Sequence, residues 1–222
     1  MKKEIYDSYY YDGRKKRWKI ENFRDGCPPK PSPDVIEEWK INWENTEGNT
    51  EQEHALKKLF TELLPHNSDL DDVLIKVCTL NDFYSTNIYN VLSVAKVIKD
   101  MNFDNTFNSD EALPKRVDEL NDKVYEATKK HIYSFSTKFF SHHRPDIYPI
   151  YDSYVDKLLR YYRDEYQFFS FKDEKLLNYE GFYEVYIKFK KYFGLTQFTA
   201  RDIDKFLWQA GKHHFPKYKD EK

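Results

Sequence analysis

The stretch "HIYSFSTKFFSHHRPDIYPIYDSYVDKLL", residues 131–159, decides how the chain folds. A helix near 134–143 leads into a basic turn. Pro145 and Pro149 then bar helix across the connection, and a second helix runs near 153–168. Asp152 and Ser153 stand where the cap of that second helix belongs, because a short polar side chain there accepts the unpaired N–H groups of the first turn. From Lys129 to Arg144 the chain carries Lys129, Lys130, His131, Lys138, His142, His143 and Arg144 and no acid. Rings interleaved with such cations suit phosphate neutralisation and base stacking. The plain alternative is a solvated helix face balanced by the acids at 118–126.

The same helical period extends outward. "TEQEHALKKLFTELL" opens at Thr50 with Glu53 three places on, a capping-box spacing, and stops before Pro65. "SDLDDVLIKVCTL" starts from Ser68 or Asp69 and sets Val73, Leu74, Val77 and Leu80 on one face. "TNIYNVLSVAKVIKDM" repeats Ile88, Val91, Leu92, Ala95 and Ile98, and "PKRVDELNDKVYEATKKHI" opens on Pro114 and turns Val117, Leu120, Val124 and Ala127 inward. Further helices are expected near 179–193 and 200–210. No stretch alternates with a period of two, so the fold class is all-α. Residues 1–34 read as a polar, basic arm containing "RKKRWK" (14–19) and the helix-forbidding "CPPKPSP" (27–33), and residues 35–222 as one compact domain.

Net charge is −2, which does not advertise nucleic-acid binding, although a local positive face is enough to meet a phosphate backbone. Cys27 and Cys78 are too few and too far apart for a cysteine zinc site or an iron–sulfur cluster, and they fit a reducing cytoplasm. Neither an export signal nor a membrane span is expected, nor any cofactor. With 19 Tyr, 17 Phe and 4 Trp the chain has more rings than a core of this size requires, which points to rings lining clefts or to an AT-rich coding bias. His142 and His143 are neighbours and would point apart in a helix. A metal site joining them with Asp146, or with His213 and His214, is the minor reading.

Asp152 has two readings from its residues alone, helix cap or catalytic carboxylate at a helix mouth. Here a resemblance enters. The order helix, basic turn, then Pro149-Ile150-Tyr151-Asp152 and Val155 resembles the helix-hairpin-helix (HhH-GPD) DNA glycosylase superfamily, whose "P-I/V-x-D-x-x-V" run carries the catalytic aspartate at a helix start. "KVCTLNDFYSTNIYNVL" (76–92) resembles the family's earlier helix-turn-helix, with Asn81 matching the amide that reaches into the duplex and Tyr84 beside it. The likeness spans roughly residues 70–165.

The resemblance implies two helical lobes flanking a cleft, about 70–125 against 35–69 plus 126–222. It also implies a monomer that turns a base out of double-stranded DNA. Flipping is needed because the glycosidic carbon is inaccessible inside a duplex, and Asp152 would stabilise the oxocarbenium-like sugar and orient water. Two departures stand out. "KKHIYSFSTK" lacks the family's hairpin glycines, so anchoring would fall to Lys129, Lys130 and Lys138. An ungapped match puts Ser134 where bifunctional members carry the Schiff-base lysine, with Lys138 one turn farther on. The expectation is therefore a monofunctional enzyme that uses water, with Lys138 as nucleophile if the following loop is shortened. Tyr148, Tyr151 and Tyr154 either stack on the extruded base or pack between helices.

The leading functional reading is a DNA glycosylase for a modified or damaged base. The altered hairpin suggests an unusual base, such as one carried by invading phage DNA, with genome repair as the plain alternative. The competing classes are a non-catalytic helical nucleic-acid-binding module, in which Asp152 only caps, and an RNase-type toxin with His142 or His143 as acid or base.

Overall fold

Ten α-helices and no strand make up residues 26–215, which a computed structural model of the protein describes. Helix α1 (Pro33–Asn45) starts on Ser32, whose Oγ accepts the Val35 N–H, with proline in the first turn where its missing donor costs nothing. α2 (Asn49–Lys58) runs on through a π-helical turn, Leu59–Leu63. α3 (Leu70–Tyr84) is capped by Asp69, and α4 (Val91–Met101) by Asn90. The one-turn α5 (Asp104–Phe107) precedes α6 (Pro114–Thr128), α7 (Tyr133–His143) and α8 (Ser153–Tyr166). A 3₁₀ turn at Asp173–Leu177 leads to α9 (Tyr179–Tyr192), and α10 (Ala200–His214) opens with a Thr199–Asp202 capping box.

α3 packs on α4, α4 on α6, and α6 on both α7 and α9; α10 packs on α1 and α8. Between these groups runs α7, which also meets α2 and α3. Every residue of α7 from Phe135 to His143 is buried. A helix buried on all sides shows no amphipathic stripe, which is why its ring-rich sequence reads as a basic surface when taken alone.

The expected helices at 134–143, 153–168, 179–193 and 200–210 all form, as do those opening at Asp69 and Pro114. Several details differ. α1 was not expected, because its start abuts a proline-rich run. The capping box at Thr50 does not form: α2 begins at Asn49 on Gly48, whose φ is +83°, and Glu53 is drawn to α10 instead. Val94 takes the buried place expected of Leu92, which is exposed, and Ala127 also faces outward. "QAGKHH" forms the end of α10. "RKKRWK" lies outside the described residues. No helix among them is long and apolar enough to cross a membrane.

Candidate active site

The turn between α7 and α8 is held by side chains. Tyr179 on α9 donates to the Pro149 carbonyl at 2.9 Å, and Asp204 Oδ2 on α10 accepts the Ile150 N–H at 2.9 Å. Thr137 on α7 accepts the Tyr151 N–H at 3.1 Å, and the Tyr151 carbonyl accepts Ser134 Oγ at 3.0 Å and Thr137 Oγ1 at 3.3 Å. Buried backbone polar groups must be paired, and the preceding α7 together with two helices distant in sequence, α9 and α10, supplies the partners here. The turn delivers Asp152 to the mouth of α8, where its Oδ1 accepts the N–H groups of Tyr154 and Val155, both at 2.9 Å.

One helical turn after Ser134, Lys138 returns to the same point. Its Nζ donates to Ser134 Oγ at 2.5 Å and to the Ser134 carbonyl at 3.3 Å. Because the Ser134 hydroxyl hydrogen goes to Tyr151, its oxygen is free to accept from the lysine. Burial lowers the Lys138 pKa below the usual lysine range, with Asp152 and Asp204 pulling the other way. The Lys138 Nζ also lies 5.1 Å from the Tyr84 ring centre.

Lys138, Asp152, Ile150 and Val155 line a cavity of about 280 Å³, close to the lower bound of about 300 Å³ for small-molecule sites. Trp43 from α1 and Phe83 and Tyr84 from α3 supply ring walls. α2 contributes Asn49, Gln52, Glu53 and Leu56, and α10 contributes Arg201, Asp204, Lys205, Trp208 and Lys212, a stripe at helical spacing. Glu53 gathers three donors: Arg201 Nε at 3.0 Å, Lys205 Nζ at 2.9 Å and Trp43 Nε1 at 3.1 Å. Burial works against its charge, but Arg201 and Lys205 outweigh it and hold its pKa below the ordinary value. Burial likewise opposes the charge on Arg201, and the Glu53 carboxylate at 3.0 Å offsets it. Lys212 Nζ sits 4.4 Å over the Trp208 ring.

Of the residues singled out from the sequence, Asp152, Lys138 and Tyr84 meet at this cavity, with Ser134 directly behind Lys138. The others do not line it. His142 and His143 are buried, not a surface pair: His142 Nε2 is hydrogen-bonded to Tyr84 Oη at 2.8 Å, and the His143 ring stacks on Phe107 at 4.1 Å. Burial holds both imidazoles well below the usual histidine range, so they are neutral packing groups. Arg144 clamps the Phe107 and Ser109 carbonyls and pairs with Asp146. Tyr148 is fully buried and its hydroxyl accepts the Leu113 N–H. Tyr151 donates to Asp156 and packs on Tyr133 and Phe182. Tyr154 lies against Gly211 of α10.

The amide of Asn81 is folded back on its own loop: Oδ1 accepts from Thr86 and the Ile88 N–H, and Nδ2 donates to the Ile88 carbonyl. Lys129 and Lys130 stand exposed on the α6–α7 turn. Lys129 adopts φ +58°, the left-handed conformation for which glycine is usual. Among the described residues no cluster of three or more His, Cys, Asp or Glu side chains could hold a metal ion.

Sequence reasoning missed Glu53, Arg201, Asp204, Lys205 and the two tryptophans. The only available signal was the 201, 204, 205, 208, 212 spacing, opposite the buried Ile203, Phe206, Leu207 and Ala210, and such a stripe reads equally well as a solvated face.

The chain is 38% identical over 154 residues to an uncharacterised protein of Haemophilus influenzae, an alignment covering 68% of this chain and 72% of the relative. No solved structure matches it. The family model HI_0787_N, described as an N-terminal domain, matches residues 35–147. That segment contains Glu53, Tyr84, Ser134 and Lys138 and ends within the α7–α8 turn, before Asp152. The chain belongs to the HI_0787_N N-terminal domain family.

Proposed function

We propose that the protein is a DNA glycosylase that turns a modified or damaged base out of the duplex and cuts its glycosidic bond. The observation that carries this reading is that Lys138 and Asp152, a buried amine and a helix-mouth carboxylate, line one base-sized, ring-walled cavity. A carboxylate beside the sugar lowers the barrier to an oxocarbenium-like state, and the surrounding rings stack on the everted base. The sequence favours water as the nucleophile. The lysine route is favoured by the pairing of Nζ with Ser134 and by burial, which lowers the Lys138 pKa and so eases loss of the proton that blocks its lone pair. An unusual base, such as one carried by phage DNA, fits the many polar groups that α2 and α10 present to the cavity.

The α3–α4 loop, which follows the cavity-lining Phe83 and Tyr84 in sequence, carries Tyr89, 89% exposed. With Asn81 spent on shaping this loop, Tyr89 is the side chain that would enter the base stack and hold the gap open. The test is incubation with host DNA and with DNAs of differing base modification, followed by mass analysis for a free base and borohydride trapping. A released base and a borohydride-trapped complex through Lys138 are expected. DNA binding without base release from any substrate would leave only the binding-module reading, in which Asp152 is a cap.

A further inference from the structure

The α10 wall of the cavity carries more positive charge than its neighbours offset. Arg201 and Lys205 share a single carboxylate, Glu53, at 3.0 and 2.9 Å, and Trp43 Nε1 donates to it as well. Lys212, about two turns beyond Lys205 and exposed, pairs with no carboxylate among the described residues. Its Nζ rests on the Trp208 ring, while Arg201 and Lys205 lie 5.4 and 5.8 Å from the Trp43 ring, and the two indoles meet edge to face at 5.8 Å. The other two carboxyls of the cavity already serve backbone amides, Asp152 those of Tyr154 and Val155 and Asp204 that of Ile150. Four cationic side chains, Lys138, Arg201, Lys205 and Lys212, thus meet three carboxyls, Glu53, Asp152 and Asp204, a surplus of one. Burial lowers the Lys138 pKa and raises that of Asp204 well above the carboxylate range, so the surplus resides on α10.

An unmodified base brings no charge. Seated against this wall, it would strip water from Arg201, Lys205 and Lys212 without supplying a counter-charge, and desolvating an unmatched cation is costly. We propose that the base this cavity is built for carries an acidic substituent, a carboxylate or a phosphate, which Lys205 and Lys212 pair while Trp43 and Trp208 pack on its ring. The inference rests on the glycosylase reading and names the substrate class of the same site. Hydrogen bonds from ammonium groups to such an anion are among the strong ones, and the anion balances the uneven charge of α10. The Arg201 and Lys205 side chains are only 14% and 13% exposed, so the acid they meet enters with the base rather than staying on the strand as a backbone phosphate. Lys138 and Asp152, from α7 and the mouth of α8, are left to the sugar.

Free bases separate the acid from sugar and phosphate. 5-Carboxyuracil differs from thymine only in a carboxylate for a methyl group, and calorimetric titration of the whole chain with each reads the preference directly. 5-Carboxyuracil is expected to bind at least about tenfold more tightly, by a margin that shrinks as salt is raised. Lys212→Gln should narrow the margin about threefold, and Lys212→Glu, at an exposed position, should narrow it further. Equal binding of the two bases, binding of neither, or a margin that neither Lys212→Glu nor Lys205→Gln narrows overturns the proposal. So does a preference for thymidine 5′-monophosphate over thymidine without one for 5-carboxyuracil over thymine, which assigns the surplus to a backbone phosphate. A duplex bearing 5-carboxycytosine, set beside the same duplex with 5-methylcytosine, then tests the reaction. The acidic base should be released at least about tenfold faster, and equal release from both overturns the proposal. If neither duplex releases a base while the free-base preference holds, the glycosylase reading fails and the acid-binding cavity stands.

Discussion

At Asp152, capping occupies one oxygen only, and the proposed chemistry would use the other. Oδ1 accepts both N-terminal amides of α8, which leaves Oδ2 to the cavity. Asn caps a helix about as well as Asp, so Asp152→Asn should unfold within a few tenths of a kcal/mol of wild type, whereas Asp152→Ala should lose about 1 kcal/mol of stability. Base release should fall by about 10²–10³-fold in Asp152→Asn, the usual loss when one transition-state stabiliser is removed. Thermal melts and single-turnover assays on the same samples check both. Lys138→Gln should abolish borohydride trapping, and retained trapping would move the nucleophile elsewhere. Asp152, Lys138 and Ser134 were singled out because a family resemblance runs through their short stretch of chain, and Tyr84 through the resemblance of the separate 76–92 segment; that these meet at one cavity was not readable. The histidines misled, since a buried imidazole and an exposed one look alike in a one-dimensional reading. Asp204 and Glu53 were invisible because only the docking of α10 gives them partners.

Among the elements, α8 and α10 meet where Gly211 leaves no room for a side chain: a Cβ there would stand 2.6 Å from that of Tyr154. At the start of α9 a Cβ on Gly181 would come within 2.1 Å of the Lys175 carbonyl oxygen. Overpacking of this kind costs about 1–3 kcal/mol, so Gly211→Ala and Gly181→Ala should each lower Tm by roughly 3–10 °C. Gly211→Ala should also slow base release, because α10 carries one wall of the cavity. The α3–α4 loop gives a different expectation: its tip makes little of the core, so Tyr89→Ala should leave Tm unchanged and weaken binding to duplex DNA more than to DNA with an unpaired base. Equal weakening on both would remove Tyr89 from the flipping step. Stripes on α3, α4 and α6 were readable as apolar periodicity, whereas α7 hid its burial behind lysine and histidines.

For the whole molecule, buried lysines set the response to pH. Lys76 is completely buried, its Nζ bonded to the Leu64 and His66 carbonyls and to Asn67 Oδ1, and burial lowers its pKa to about 8. Lys157 is likewise lowered to about 8 by burial. Just above pH 8 the unfolded chain holds lysine protons that the folded chain has lost, so these two groups make stability rise with pH until the unfolded tyrosines begin to ionise toward pH 10 while burial keeps folded ones such as Tyr162 and Tyr179 protonated. Denaturant melts at pH 8 and pH 9.5 should show the higher midpoint at pH 9.5, with the gain reduced in Lys76→Met. The all-helical class was legible from period alone, but the way α7 threads between the other helices was not, because it depends on contacts between segments far apart in the chain.

The first amides of α10 add to this dependence on distant segments, with Ala200 and Arg201 donating to the Asp146 and Pro145 carbonyls at 3.0 and 2.9 Å. During synthesis, Lys138 and Asp152 leave the ribosome well before the helix that braces the loop between them. A nascent chain therefore carries Lys138 and Asp152 while the loop between them is still unbraced, and their alignment waits for α10 to emerge and dock.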